Sequence, residues 1–176
     1  MIAYEVVDNI PEIDVQMARA WTLIGEHMIQ SIQRNFDEQG RPTKWPPPSR
    51  NSLFTSGTLL KRRGDLYNSG TFRFTEDECV ISWGLGLPYA WIQNFGGTTH
   101  PVVSEKMKRF FWAMYMQSED EFWKFMALKP VGEVLNITIP ARTFMTIQPE
   151  DKEFIVSTLK SGVILHYPDG RIESIQ

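Results

Sequence analysis

Residues 14–38 read DVQMARAWTLIGEHMIQSIQRNFDE, and this segment determines how the rest of the chain folds. Its apolar residues recur at steps of three and four, the spacing that lines one face of an amphipathic helix. They are Met17, Ala20, Trp21, Ile24, Met28, Ile32 and Phe36, and Ile13 just before the segment continues the pattern. Gly40 follows as a stop signal. The pattern predicts a helix over residues 14–38, about 37 Å long and able to cross the face of a small sheet.

A proline-rich segment follows the predicted helix. Residues 40–49 read GRPTKWPPPS, and the prolines remove amide donors and disfavour helix in the residues before them. We therefore predict an extended arm over residues 40–58. The arm cannot build a core of its own, so the large indole of Trp45 must pack on the parent domain or on another chain.

The remainder of the chain alternates between strand and helix patterns. Residues 71–83 predict an antiparallel hairpin, because two runs of strand-forming residues flank an acidic turn. Residues 89–95 read as two helical turns closed by a pair of glycines, and residues 134–139 as a strand. A helix opening at Pro149 and closed by Gly162 precedes a C-terminal hairpin over residues 163–176.

Residues 104–126 form an aromatic helical region with an interruption predicted at residues 118–121. Its apolar positions follow helical spacing. They are Met107, Phe110, Phe111, Met114, Tyr115, Phe122 and Phe125. Trp112 and Trp123 broaden the apolar surface beyond one stripe, which favours a contact with another subunit over a thick core.

Composition limits the possible functions. At 176 residues the chain has the length of one domain. A net charge of −3 argues against a surface devoted to phosphate backbones, and the one basic cluster is Lys61, Arg62 and Arg63. Six Trp, eleven Phe and five Tyr are more than a modest core requires, and this excess favours protein assembly.

No segment predicts secretion, membrane insertion or a disulfide. The N-terminus lacks a signal or transit sequence, which indicates synthesis in a reducing cytoplasm. The longest apolar run, residues 110–116, is too short to span a bilayer. Cys79 is the single cysteine and sits in an apolar stretch, where we expect it to behave as a small buried hydrophobe.

Catalytic or cofactor chemistry finds little support. His27, His100 and His166 have no second ligand at metal spacing, and we expect His27 to be exposed to solvent. No dinucleotide or phosphate loop is present. The acidic runs at residues 76–78 and 119–121 fall at predicted turns, where solvated charge is ordinary. We predict no cofactor, no metal and no enzymatic activity.

Four blocks of sequence carry a resemblance to a known family. They are FDEQGRP at 36–42 with Trp45 and Pro47 after it, LKRRGDLYNS at 60–69, PYAWIQNFGG at 88–97 and IPARTFM at 139–145. In this order they resemble the phage virion morphogenesis family, the Mu-like neck and tail-completion proteins related to head-tail joining proteins. The resemblance covers about residues 31–154. Thr143 stands where the family has proline, Asn94 departs from the family's pattern, and residues 104–126 look like an insert.

The resemblance implies a structural role. It implies a single domain over residues 1–176 that assembles as a ring, with six subunits expected, at the head-proximal end of a phage tail. The implied partners are copies of the chain, the tail tube and the head-tail connector, with DNA only as passing cargo and no membrane. The implied location is the neck or tail of the virion, assembled in the host cytoplasm.

The expected fold class is α+β, with an antiparallel sheet packed against a long N-terminal helix, shorter helices and an extended proline-rich arm. We expect the interface to include Trp45, Lys61, Arg62, Arg63, Trp112, Trp123 and Arg142. The alternative for Arg142 is an ordinary salt bridge within the domain.

Two other functions remain as alternatives. One is a small hydrolase, which needs His100 or His166 beside a carboxylate and a nucleophile. The other is a nucleic-acid-binding module that uses Lys61, Arg62 and Arg63 with Trp83 or Tyr67 as stacking partners.

Overall fold

The computed structural model describes residues 12–47, 59–61, 63–168 and 170–174. Over these ranges the chain forms helices and small antiparallel sheets, which confirms the predicted α+β class. In chain order the elements are β1 (Glu12–Val15), α1 (Met17–Asp37), β2 (Thr71–Phe74), β3 (Cys79–Ser82), α2 (Ala90–Phe95), β4 (Gly97–Thr99), α3 (Glu105–Ser118), α4 (Glu121–Leu128), β5 (Ile137–Ile139), α5 (Pro149–Ser161), β6 (Val163–His166) and β7 (Ile172–Ser174).

The long helix α1 is confirmed, with a later start than predicted. Residues 12–15 pair with β6 as strand β1, and the Gln16 amide donates to the Gly162 carbonyl at 2.8 Å, so the helix begins at Met17. Its predicted stripe is largely buried, with Ala20, Ile24, Met28, Ile32 and Phe36 all inside. The helix ends at Asp37, and Gly40 reverses the chain at φ +106°, a conformation that suits glycine.

The strands divide among three small sheets where the sequence led us to expect one. β1, β6 and β7 form one antiparallel sheet, β2 and β3 the predicted hairpin, and β4 and β5 a third pair. Helix α1 packs on the β2–β3 hairpin on one side and on α5 on the other. Strands β1 and β4 were not predicted from the sequence.

The aromatic core lies at the C-terminal end of α1. Phe36 is fully buried, and its ring is surrounded by four others. The ring centroids lie 5.6 Å from Trp45, 5.8 Å from Tyr67, 5.9 Å from Trp83 and 5.0 Å from Phe144. Because these residues come from the arm, the middle of the chain and the segment before α5, this cluster joins all three to α1.

Residues 104–128 form a helical hairpin. Ser104 caps α3, and its hydroxyl accepts from the Met107 amide at 3.2 Å. The chain breaks at Glu119, which takes φ +54°, and Asp120 caps α4 by accepting from the Phe122 amide at 2.9 Å. The break falls within the predicted interruption, and α4 continues two residues beyond the predicted end at Met126.

Candidate functional site

Trp45 packs on its own domain, the first of its two predicted environments. Only 9% of the residue is exposed, the indole meets Phe36 edge to face, and its Nε1 donates to the Thr143 carbonyl at 3.2 Å. The described arm residues, 40–47, therefore run along the domain at this point. The indole stabilises the fold and leaves little surface for another chain.

The basic cluster is only partly described, because Arg62 lies outside the described residues. The Lys61 ammonium pairs with the Asp37 carboxylate and lies 4.1 Å from the centroid of the Tyr67 ring. The hydrogen bond to Asp37 raises the pKa of Lys61. Arg63 is exposed. One of the three charges is therefore neutralised within the domain, which weakens a nucleic-acid site built on this cluster.

The α3–α4 hairpin carries an exposed apolar surface. Within the described chain, α3 and α4 pack chiefly against each other. Trp123 is half-buried among the rings of Phe110, Phe111 and Phe122, with centroids 5.1–6.1 Å apart. We call the exposed apolar side chains of the two helices together the hairpin surface; they are Phe110, Trp112, Met116, Phe125 and Leu128, which are 37–76% exposed.

A second exposed aromatic group lies on α2. Trp91 is 67% exposed and Phe95 62% exposed, and their rings lie 5.4 Å apart as an i,i+4 pair. We call this pair the α2 patch. The helix was predicted from the sequence and the patch was not, although the i,i+4 spacing of Trp91 and Phe95 is visible in the sequence.

Asn94, on the inner side of α2, holds the segment that contains Arg142. Asn94 is buried, and its Oδ1 accepts from the Phe144 amide at 3.0 Å and from the Met145 amide at 3.1 Å. Gln93 adds a backbone bond, because its carbonyl accepts from the Arg142 amide at 2.8 Å. Arg142 is therefore fixed against α2.

The Arg142 guanidinium is buried without a counter-charge. The residue is 8% exposed, its Nη1 donates to Gln93 Oε1 at 3.0 Å, and its buried Nε has no hydrogen-bond partner. Burial lowers the pKa of this group. No carboxylate of the described chain pairs with it, so the salt bridge that we weighed as its alternative role is absent there.

His27 is not solvent-exposed as expected. Its Nε2 lies 2.9 Å from Asp151 Oδ1, and its ring stacks on Phe154 at 4.0 Å between centroids. The prediction was wrong because Asp151, fully buried at the start of α5, supplies a distant partner. Ser31 Oγ also donates to Asp151, at 2.8 Å.

This Ser-His-Asp group does not have the order of a nucleophilic relay. The carboxylate of Asp151 sits between Ser31 and His27, and the Ser31 hydroxyl is fully buried. The group braces α1 against α5. His100 is exposed and lies 2.7 Å from Asn136 Oδ1, while His166 is part of β6.

The described ranges contain neither a metal-binding cluster nor a membrane-spanning helix. Within them, no group of three or more His, Cys, Asp or Glu residues is placed to hold a metal ion. Across the same residues, no helix combines the length and apolar character required to cross a bilayer.

An α+β domain with two exposed aromatic surfaces and a buried, unpaired arginine is typical of a protein that assembles with other proteins. Comparison with known families identifies which class it is. The phage virion morphogenesis family matches residues 6–163, and the chain belongs to that family. Membership indicates a structural role in the phage virion. No curated protein and no solved structure matches the chain.

Proposed function

We propose that the chain is a neck or tail-completion protein that assembles as a ring at the head-tail junction and joins the tail tube to the connector. Family membership supports the structural role in the virion. The observation that supports the rest is the hairpin surface, because five large apolar side chains on α3 and α4 are left exposed by the described residues.

Exposed apolar area of this kind is unfavourable in a free monomer. Monomeric proteins rarely expose contiguous apolar patches beyond a few hundred Å², and larger patches mark contacts with other molecules. Phe125 and Leu128 are more than 60% exposed on α4, and Met116 is 76% exposed near the end of α3. We infer that this side of the hairpin is covered by another virion subunit.

The function requires complementary surfaces and no covalent chemistry. A ring needs a lateral contact between copies around a cyclic axis, and a junction needs axial contacts above and below that ring. We assign the hairpin surface, with Trp112 exposed and Trp123 supporting it from within, to one of the axial contacts. Arg63, exposed beside Lys61, lies on a separate part of the chain and is proposed as a polar contact.

The test uses Trp112→Ala and Phe125→Ala, made together in the phage gene and in the purified protein. Phe125 is 62% exposed and Trp112 37% exposed, so we expect the purified variant to remain folded, with a modest loss of stability from the covered part of the indole. We expect phage carrying the variant to accumulate separate heads and tails in electron micrographs. Ile172→Ala, at a residue 64% exposed on β7, is the matched control and should assemble normally.

Two results would contradict the proposal. One is a deletion phage whose particles have complete, joined tails. The other is a variant with both alanines that restores full infectivity to that deletion phage.

A further inference from the structure

An apolar groove runs along α1, between β3 and the segment that precedes α5. Ile24 and Met28 of α1 form its floor, where each is 4% exposed. Cys79 and Ile81 of β3 line one wall, and Ile147, 57% exposed, lines the opposite wall. The groove encloses about 360 Å³, within the range of about 300–1,000 Å³ that is typical of ligand-binding clefts.

The edge of β3 beside this groove has no neighbouring strand. Across the described residues β3 pairs with β2 alone. The described lining of the groove includes residues of β3 and none of β2, so the groove lies along the unpaired edge. An unpaired edge presents backbone donors and acceptors that a further strand can bind.

The backbone groups at this edge belong to Cys79 and Ile81. The Thr75 amide donates to the Glu78 carbonyl at 2.8 Å. Because bonded residues alternate along an antiparallel ladder, Val80 is bonded to β2 in the same way. Cys79 and Ile81 therefore direct their N–H and C=O groups away from β2, toward the open edge.

An acidic turn lies at one end of the groove. Glu76, Asp77 and Glu78 are exposed, come directly before Cys79 and form no ion pair with a described residue. Trp21, which also lines the groove, donates from Nε1 to the Glu76 carbonyl at 3.1 Å and holds the turn in this place. We call residues 76–78 the acidic turn. Its negative charge favours a lysine or arginine at this end of a bound ligand.

A free strand edge over an apolar groove suits an extended peptide. Such a peptide pairs through its backbone and places every second side chain in the groove. Residues 1–11 of the chain itself match the charge poorly, because they carry Glu5 and Asp8 and neither Lys nor Arg. The acidic turn would repel them.

We propose that the groove binds an extended segment of another protein as a third strand beside β3. The segment has apolar residues at alternate positions and a lysine or arginine next to the acidic turn. Backbone pairing supplies the affinity, and the apolar and basic side chains fix the register and direction of the strand. The groove is distinct from the hairpin surface, and its occupation does not depend on a ring.

Amide hydrogen exchange measured by NMR tests the pairing. In the protein alone, Val80 and Ser82 should exchange slowly because they bond to β2, and Cys79 and Ile81 should exchange faster. The probe is a synthetic peptide of one lysine followed by valine and threonine in alternation. Saturating peptide should slow the exchange of Cys79 and Ile81 by about tenfold or more and leave Val80 and Ser82 nearly unchanged.

An exchange of charges tests the acidic turn. A peptide with glutamate in place of the lysine should bind the wild-type protein with an affinity lower by about tenfold or more. In the variant Glu76→Lys with Glu78→Lys this preference should reverse. Both side chains are exposed, and the hydrogen bonds of the turn use the backbone carbonyls of these residues, so the variant keeps its fold.

Ile147→Trp tests the groove by filling it with an indole, and should lower the affinity for the lysine peptide by about tenfold or more. Val156→Trp is the matched control. Val156 is 53% exposed on α5 and is not part of the groove lining, so this variant should bind the peptide like wild type. The exchange of charges leaves the groove unaltered and tests the site on its own if Ile147→Trp does not fold.

The proposal is overturned if the lysine peptide leaves the exchange of Cys79 and Ile81 unchanged, or if both peptides bind the wild-type protein equally well. Slow exchange of both amides in dilute protein without peptide assigns the groove to a segment of the same chain. Slow exchange that appears only as the protein is concentrated assigns it to a second copy, and either result also overturns the proposal. All of these results leave the junction role standing, because that role is tested by the joining of heads to tails.

Discussion

Replacing Asp151 with alanine tests how α1 is held to α5. The carboxylate is fully buried and accepts three hydrogen bonds. They come from Ser31 Oγ at 2.8 Å, from His27 at 2.9 Å and from the Gln148 amide at 2.8 Å. The last of these is half of the capping box at the start of α5, so a single side chain serves both the helix start and the packing of the two helices.

The expected loss of stability is the sum of the costs for the three donors that lose their acceptor. Losing the cap at Gln148 costs about 1 kcal/mol. The Ser31 hydroxyl is fully buried and loses its acceptor at about 1–3 kcal/mol, while His27, with 21% of its side chain exposed, loses less because water reaches it. We expect Asp151→Ala to lower the free energy of unfolding by about 3–4 kcal/mol, and the melting temperature by about 6–16 °C.

Thermal and urea unfolding, followed by tryptophan fluorescence, measure this loss. Glu153→Ala is the matched control, because Glu153 is exposed on the same helix and its removal should change stability by less than about 0.5 kcal/mol. Equal stability of the two variants, or a loss below about 1 kcal/mol for Asp151→Ala, would refute the reasoning about the buried acceptor.

Three further predictions concern single side chains. Trp45→Ala should lower the free energy of unfolding by about 3–5 kcal/mol in urea titrations, because the indole fills the core against Phe36. Gly96→Ala should lower it by about 2 kcal/mol or more by the same measurement, since φ +71° and ψ 179° suit only glycine and a Cβ would lie 2.7 Å from the Ala141 amide nitrogen. The Cys79 thiol, whose pKa is raised by burial, should react with a disulfide reagent at pH 8 more slowly than free cysteine, with urea restoring the ordinary rate.

Periodicity predicted the elements whose pattern is local. Helix α1, the β2–β3 hairpin and α5 each carry their own spacing and end signals, and all three are present. Strands β1 and β4 were missed because they have only four and three residues, too few to show an alternating pattern. Each is stabilised by pairing with a strand far along the chain. Helix α1 starts later than predicted for the same reason, since residues 14 and 15 pair with β6.

For the residues of the candidate site, too, the sequence predicted what depends on local spacing and missed what depends on distant residues. Arg142 was singled out through the resemblance, yet its lack of a counter-charge depends on which residues surround it in space. His27 was misjudged because its partner Asp151 is 124 positions away. The α2 patch follows a spacing visible in the sequence, but exposure of Trp91 and Phe95 is decided by the absence of a covering element, which no local pattern reveals.

The aromatic excess that suggested assembly is divided between two uses. Phe36, Trp45 and Trp83 fill the core at the end of α1, where the chain provides all their partners. Trp91 and Trp112 lie on α2 and α3, where the described chain leaves them exposed. Substitutions in the first group should therefore lose folding and assembly together. Substitutions in the second should lose mainly assembly, because much of the free energy that those rings contribute is released when a second subunit covers them.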